Sequence, residues 1–199
     1  MRRPPPPLGL LLLLAGCSAA RPTSPPAPAA AAAPGDLYRL DTYADGFRED
    51  QARDAPVGVP RPRAHPVASV DLGPLAAGDI LLVTSAYTVA SGLDSTNIGI
   101  ATTISLADHP GGYREGDREI LAFGSHNLTN HGEVYPHYGT PSFTGIYRVA
   151  PGDERRRYVN LVAWIGTDDR RQEGRTVRLT RAQLDVLRFA RAPVAHASR

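Results

Sequence analysis

The sequence predicts a mainly all-β protein, an antiparallel β-sandwich or jelly roll carried by residues 67–192 and closed by a short C-terminal helix. Three observations predict it. From Val67 onward, short apolar runs recur between clusters of Gly, Pro, Asn and Asp, the spacing expected of sandwiches and jelly rolls. Two of those runs alternate with period 2, the periodicity of a strand with one buried face. No strand before Thr180 is followed by a clear crossover helix, which argues against a parallel α/β sheet.

Near the start, Arg2 and Arg3 precede the apolar run Leu8 to Leu14, which ends in Leu14-Ala15-Gly16-Cys17. A charged start, a short apolar core and a small-residue cleavage site make a secretory signal. The core is too short for a permanent span, which needs about 20 apolar residues. Leu14-Ala15-Gly16-Cys17 resembles the bacterial lipobox. That resemblance implies a lipoprotein signal peptide over residues 1–16, with Cys17 acylated as the first residue of the mature protein. The expected location is therefore the bacterial cell membrane or outer membrane, lipid-anchored on the extracytoplasmic side. The resemblance covers only these first residues and implies an address and an anchor.

Residues 17–35 are rich in Pro and Ala, with a single Arg21. Such a composition buries too little apolar surface to fold, so a disordered, semi-stiff spacer is expected. Residues 36–66 read as an extended arm, either docked on the domain or continuing the linker. Tyr38, Leu40, Tyr43 and Phe47 are scattered there among acids, and Pro56, Pro60, Pro62 and Pro66 follow.

In the domain, Ala68 to Leu72 and Ile80 to Val89 read as strands. The clearest alternation is Ile98, Ile100, Thr102, Ile104 and Leu106 on one parity, against Gly99, Ala101, Thr103 and Ser105 on the other. Residues 108–117 form a loop, Glu119 to Phe123 a short strand, and residues 124–141 a polar loop. Phe143 to Ala150 and Tyr158 to Gly166 are strands, the latter with Val159, Leu161, Ala163 and Ile165 on one face. Thr176 to Leu179 is a short strand. Thr180-Arg-Ala-Gln183 then has the capping-box form, with Leu184, Leu187 and Arg191 at helical spacing and Pro193 as a stop. A helix over 180–191 is expected, with a kinked strand as the alternative, and residues 193–199 as a flexible tail.

Composition excludes several functions. Cys17 is the only cysteine, so the domain has no disulfide, thiolate metal site or cysteine nucleophile. All 22 basic residues are Arg. Removal of Arg2 and Arg3 leaves 20 Arg against 20 Asp plus Glu, and a domain so neutral lacks the basic face of a nucleic-acid binder. No Gly-x-Ser-x-Gly elbow or other catalytic signature is present, so no catalytic residue is assigned.

The primary expectation is thus a non-catalytic binding or structural module of the cell envelope, without a cofactor, whose ligand is a protein or a glycan. Exposed aromatics suit either, and Tyr135, Tyr138, Tyr158 and Trp164 are the candidates. A second buried face is the alternative for Tyr158 and Trp164, and self-association through them as a homo-oligomer is a third reading. The competing class is a metal-binding protein or metal-dependent hydrolase. Three of the six histidines, His126, His131 and His137, lie close together with Glu133, and imidazoles with a carboxylate suit zinc. Their spacing matches no established zinc pattern, and a polar loop with solvated histidines is the plain alternative. Asp94 to Asn97 reads as a turn, not a calcium loop.

Overall fold

The structure, a computed structural model, describes residues 38–93, 97–129 and 137–191. The signal segment, Cys17, the spacer, residues 94–96 and the tail 193–199 lie outside the described residues, as do His131, Glu133 and Tyr135. The described residues belong to one compact unit, residues 34–199.

Ten strands are described: β1 (Tyr38–Phe47), β2 (Arg53–Pro56), β3 (Arg63–Asp71), β4 (Ile80–Ser91), β5 (Asn97–Ala107), β6 (Arg118–Thr129), β7 (His137–Gly139), β8 (Ser142–Arg148), β9 (Tyr158–Gly166) and β10 (Thr176–Arg191). They build two antiparallel sheets. Sheet I has the order β1-β10-β4-β7, with β2 beside the first half of β10 and β8 beside β4. Sheet II has the order β3-β9-β5-β6. Counting β1 with β2 and β7 with β8 as single positions, the connectivity is that of a double Greek key, the jelly-roll arrangement.

The two alternating runs behave as their parity dictates. In β5 the side chains of Ile98, Ile100, Ile104 and Leu106 are fully buried, and in β9 those of Val159, Leu161, Ala163 and Ile165. They meet Leu81, Val83, Val89, Leu184 and Val186 of sheet I in one core. Each fully buried Leu or Ile contributes about 1.5–3 kcal/mol. Among the described residues, this core cluster runs from Phe47 to Val186, with Ala190 buried at its margin.

Three expectations are corrected. Residues 180–191 are not a helix: they continue β10, which pairs with β1 from Tyr38↔Arg191 to Phe47↔Ala182 and with β4. The register shifts between Leu179 and Arg181, which makes Thr180 the extra residue of a β-bulge. The inward parity changes there, from Val177 and Leu179 to Ala182, Leu184, Val186 and Ala190. The broken period 2 and an accidental capping box together imitate a helix start. The segment 36–66 is not an arm but supplies β1, β2 and the start of β3. Likewise β6 continues through the polar residues 125–129 that read as loop. Pro66 is accommodated because β3 is an edge strand with an irregularity between Pro66 and Ala68.

A polar bond ties the sheets together inside the core. The Tyr87 hydroxyl of β4 lies 2.7 Å from Thr102 Oγ1 of β5. Burial pushes the Tyr87 phenol up to about 12, against the smaller opposing effect of the Thr102 hydrogen bond. The unfolded phenol ionises near 10, so this stabilisation is complete below that pH. It is lost as pH rises toward 12, by about 2–3 kcal/mol. Tyr87→Phe is expected to flatten that alkaline slope in urea unfolding between pH 9 and 11.5. It costs about 1–2 kcal/mol at neutral pH, because Thr102 loses its partner.

Candidate functional site

The outer faces of the two sheets differ, and the difference locates the site. Outside sheet II, the 108–117 loop is stapled down. Asn160 of β9 is fully buried; its Oδ1 accepts from Ser69 Oγ at 2.6 Å and Gly111 N at 3.0 Å, and its Nδ2 donates to His109 O at 3.1 Å. His109 Nε2 lies 3.2 Å from Asp117 Oδ1. Tyr113 meets Trp164 edge-on, with ring centroids 5.9 Å apart. Trp164 Nε1 donates to Thr103 Oγ1 at 3.0 Å. Trp164 thus sits half-buried under the protein's own loop, and Tyr158 beneath the Arg157 guanidinium at 5.4 Å. Asn160→Ala is expected to cost about 2–4 kcal/mol, because it leaves buried partners unsatisfied, and to raise amide exchange selectively in residues 109–117.

Outside sheet I, no described loop is stapled across the strands in this way; the turn Glu49–Gln51 only borders them beside β10. Register places the outward side chains in rows running across β1, β10, β4 and β8. Leu40, Phe189, Ile80 and Arg148 form one row, and Thr42, Leu187, Leu82 and Ile146 the next. Beyond them the face turns polar: Ala44, Asp185, Thr84 and Thr144, then Gly46, Gln183, Ala86 and Ser142.

The polar half is a groove of about 830 Å³, within the usual size range of ligand clefts. Small residues, Ala44, Gly46 and Ala86, keep it open. A Cβ at Gly46 would come within 2.2 Å of Ala182 O, so this glycine is required for the close approach of β1 to β10. The polar groups are held in place. Arg181 Nε donates to Thr88 Oγ1 at 3.1 Å, Thr88 Oγ1 lies 3.2 Å from Thr140 Oγ1, and Gln183 Nε2 donates to Asp185 Oδ2 at 2.6 Å. A guanidinium, an amide, hydroxyls and a carboxylate in one cleft suit a ligand rich in hydroxyl or amide groups.

Of the aromatic candidates, Tyr138 lies on this same face. It pairs with Ala90, which pairs with Arg178, and it is 63% exposed. It lines a smaller recess with Arg178 and Thr180 that shares Glu49 with the main groove. His126 is elsewhere. It sits exposed on β6, where a Cβ at Gly139 would come within 2.8 Å of its Cδ2 and of Leu128 Cδ2. It thus packs over the β7 backbone at the edge where the sheets meet. His137 is half-buried at the start of β7, opposite Ser91. Among the described residues no three His, Cys, Asp or Glu side chains are placed to hold a metal. The expected cluster also needs His131 and Glu133, outside those residues.

Arg181, Gln183, Asp185 and Thr88 had no signal in the sequence as site residues, because a helix reading of 180–191 scatters them. Read as a strand, Arg181-x-Gln183-x-Asp185 is a period-2 polar run opposite the buried Ala182, Leu184 and Val186.

No protein-family model matches the chain, and no curated protein matches it. Among solved structures, it is similar to the Gx strain of infectious bursal disease virus, with 11% identity, a TM-score of 0.49 and coverage of 76% of this chain and 32% of that one. The VP2 subviral particle of the same virus gives 10% identity, a TM-score of 0.48 and coverage of 81% and 36%. The chain therefore spans about a third of the length of the structures it resembles.

Proposed function

We propose that the chain is a lipid-anchored, extracytoplasmic, non-catalytic β-sandwich module of a bacterial envelope, and that it binds a glycan through the outer face of sheet I. The observation that carries the binding face is the asymmetry between the sheets. Sheet II covers its outer face with the protein's own 108–117 loop, held through Asn160 and packed beside Trp164, whereas sheet I presents a polar groove with Tyr138 beside it. An exposed phenol ring offers a flat apolar surface for a pyranose, and the neighbouring guanidinium, amide and hydroxyl groups match sugar hydroxyls. A protein ligand remains the second class, since exposed Tyr and Arg also anchor protein contacts. The anchor is supported by Leu14-Ala15-Gly16-Cys17.

Two experiments test the reading separately. Labelled palmitate fed to cells producing the chain is expected to mark the wild type and not Cys17→Ala; equal labelling, or none in either, sinks the anchor. Calorimetric titration with envelope oligosaccharides, peptidoglycan fragments included, is expected to give saturable binding. Tyr138→Ala and Arg181→Ala are each expected to weaken it by roughly tenfold or more, about 1.4 kcal/mol. Both positions are exposed, so unfolding midpoints should change little. Affinity unaffected by either substitution would move the site elsewhere, and binding of envelope peptides alone would select the protein class.

A further inference from the structure

The apolar half of the sheet I face is not used by the groove. It is also unusual for a solvated sheet. Leu40 is 55% exposed, Ile146 74% and Tyr38 45%, and Phe189, Ile80, Leu187 and Leu82 lie between them in two adjacent rows. Scattered apolar residues are ordinary on a surface, but a contiguous patch spanning four strands marks an interaction site.

Two facts select its occupant. The first is where the chain leaves the patch. Tyr38 is the first residue of β1 and stands at the corner of the patch, and 20 residues separate it from Cys17. Even fully extended, those residues reach no more than about 70 Å, so an anchor at Cys17 confines the patch to the neighbourhood of the bilayer. Contact then becomes intramolecular, and a weak affinity suffices. The second is charge. The two apolar rows contain Arg148 and no acid. Asp185 is in the next row, with Gln183 beyond it, where the groove begins. Apolar side chains flanked by arginine match the boundary of an anionic bilayer, where a basic residue near the surface gains about 1 kcal/mol.

We infer that the rows Leu40–Arg148 and Thr42–Ile146 of sheet I dock on an anionic lipid surface, so that the tethered domain lies against the membrane with the groove beyond the contact. The inference rests on the anchor proposed above, and its test is independent of how the cell attaches it. Because Cys17 is the only cysteine, residues 17–199 can be coupled there to a maleimide lipid, and those residues contain all the described strands and the described core. Amide hydrogen exchange is then compared in three states: on vesicles of equal phosphatidylcholine and phosphatidylglycerol, on phosphatidylcholine alone, and capped with a soluble maleimide. The expected result is slower exchange in β1 and β8 on the anionic vesicles, with β9 unchanged. Leu40→Asp with Ile146→Asp, both at exposed positions, should abolish the slowing while leaving the unfolding midpoint intact. Exchange unaffected by vesicles overturns the inference. Equal slowing on neutral vesicles overturns the anionic class. Slowing in the capped protein that grows with concentration overturns it in favour of a second copy. Palmitate labelling judges the anchor alone, so the two failures are distinguishable.

Discussion

Deletion of Thr180 is expected to abolish cooperative unfolding, read by circular dichroism or fluorescence in urea. Thr180 is the inserted residue of the bulge in β10, and the register shift there lets both halves of the strand face the core. Without it, one half must turn over, because a one-residue slip exchanges the faces of a strand. If the second half turns, Ala182, Leu184 and Val186 leave the core and Arg188 abandons its buried partner Asp79. If the first half turns, Val177 and Leu179 go to water, at about 1.5–3 kcal/mol each. Arg178, now solvent-facing, is then driven inward without a partner, which costs several kcal/mol more. Either route consumes most of the roughly 5–15 kcal/mol that holds a domain together. Thr180→Ser keeps the residue count and is expected to change stability by less than about 1 kcal/mol. A deletion variant that unfolds cooperatively near the wild-type midpoint would mean that the bulge does not set the register.

The second large effect is expected at Asp79 and Arg188, an ion pair on the inner side of sheet I. Arg188 Nη2 lies 2.7 Å from Asp79 Oδ2 and Nε 3.0 Å, and Nη1 donates to Leu72 O at 3.1 Å. Asp79 Oδ2 also accepts from Ala76 N at 3.0 Å. Both residues are buried. Such a pair offsets its own desolvation only while both charges are present. Asp79→Ala is therefore expected to lower stability by about 3–5 kcal/mol, because the guanidinium stays buried with no opposing charge. Asp79→Leu with Arg188→Met, an apolar replacement of both, should recover most of that loss. Urea midpoints of the three proteins decide it. If Asp79→Ala and the double variant are equally destabilised, packing and not charge governs this end of the core.

These two sites also mark where the sequence was readable. In β5 and β9 each inward residue keeps one parity through the whole strand, so alternation alone identified Ile98 to Leu106 and Val159 to Ile165 as core strands. β10 carries as much of the core, but its alternation changes phase at Thr180. A residue that is merely extra in the ladder looks, along a single chain, like the end of one element and the start of another. β1 was unreadable for a different reason: as an edge strand it buries only Phe47, so its alternation has almost no apolar signal. The groove was the least legible part. Thr88, Arg181 and Gln183 come from two strands 93 residues apart at the Thr88–Arg181 bond, and only the register brings them side by side. Tyr138 could be picked out as a candidate because an aromatic in a polar stretch is visible without knowing its neighbours.

The position of β10 has a consequence for how the protein is made. The last described strand is not at the rim of sheet I but inside it, between β1 and β4, with β2 along its first half. Tyr38 and Arg191, at opposite ends of the described chain, are paired. Until β10 is available, β1 and β2 have no neighbour in their own sheet, and β4 lacks one side. A nascent chain lacking its final segment therefore cannot close sheet I on the ribosome. Pairing of such distant segments is also intrinsically slow. This ordering delays closure of sheet I until residues 176–191 have been synthesised.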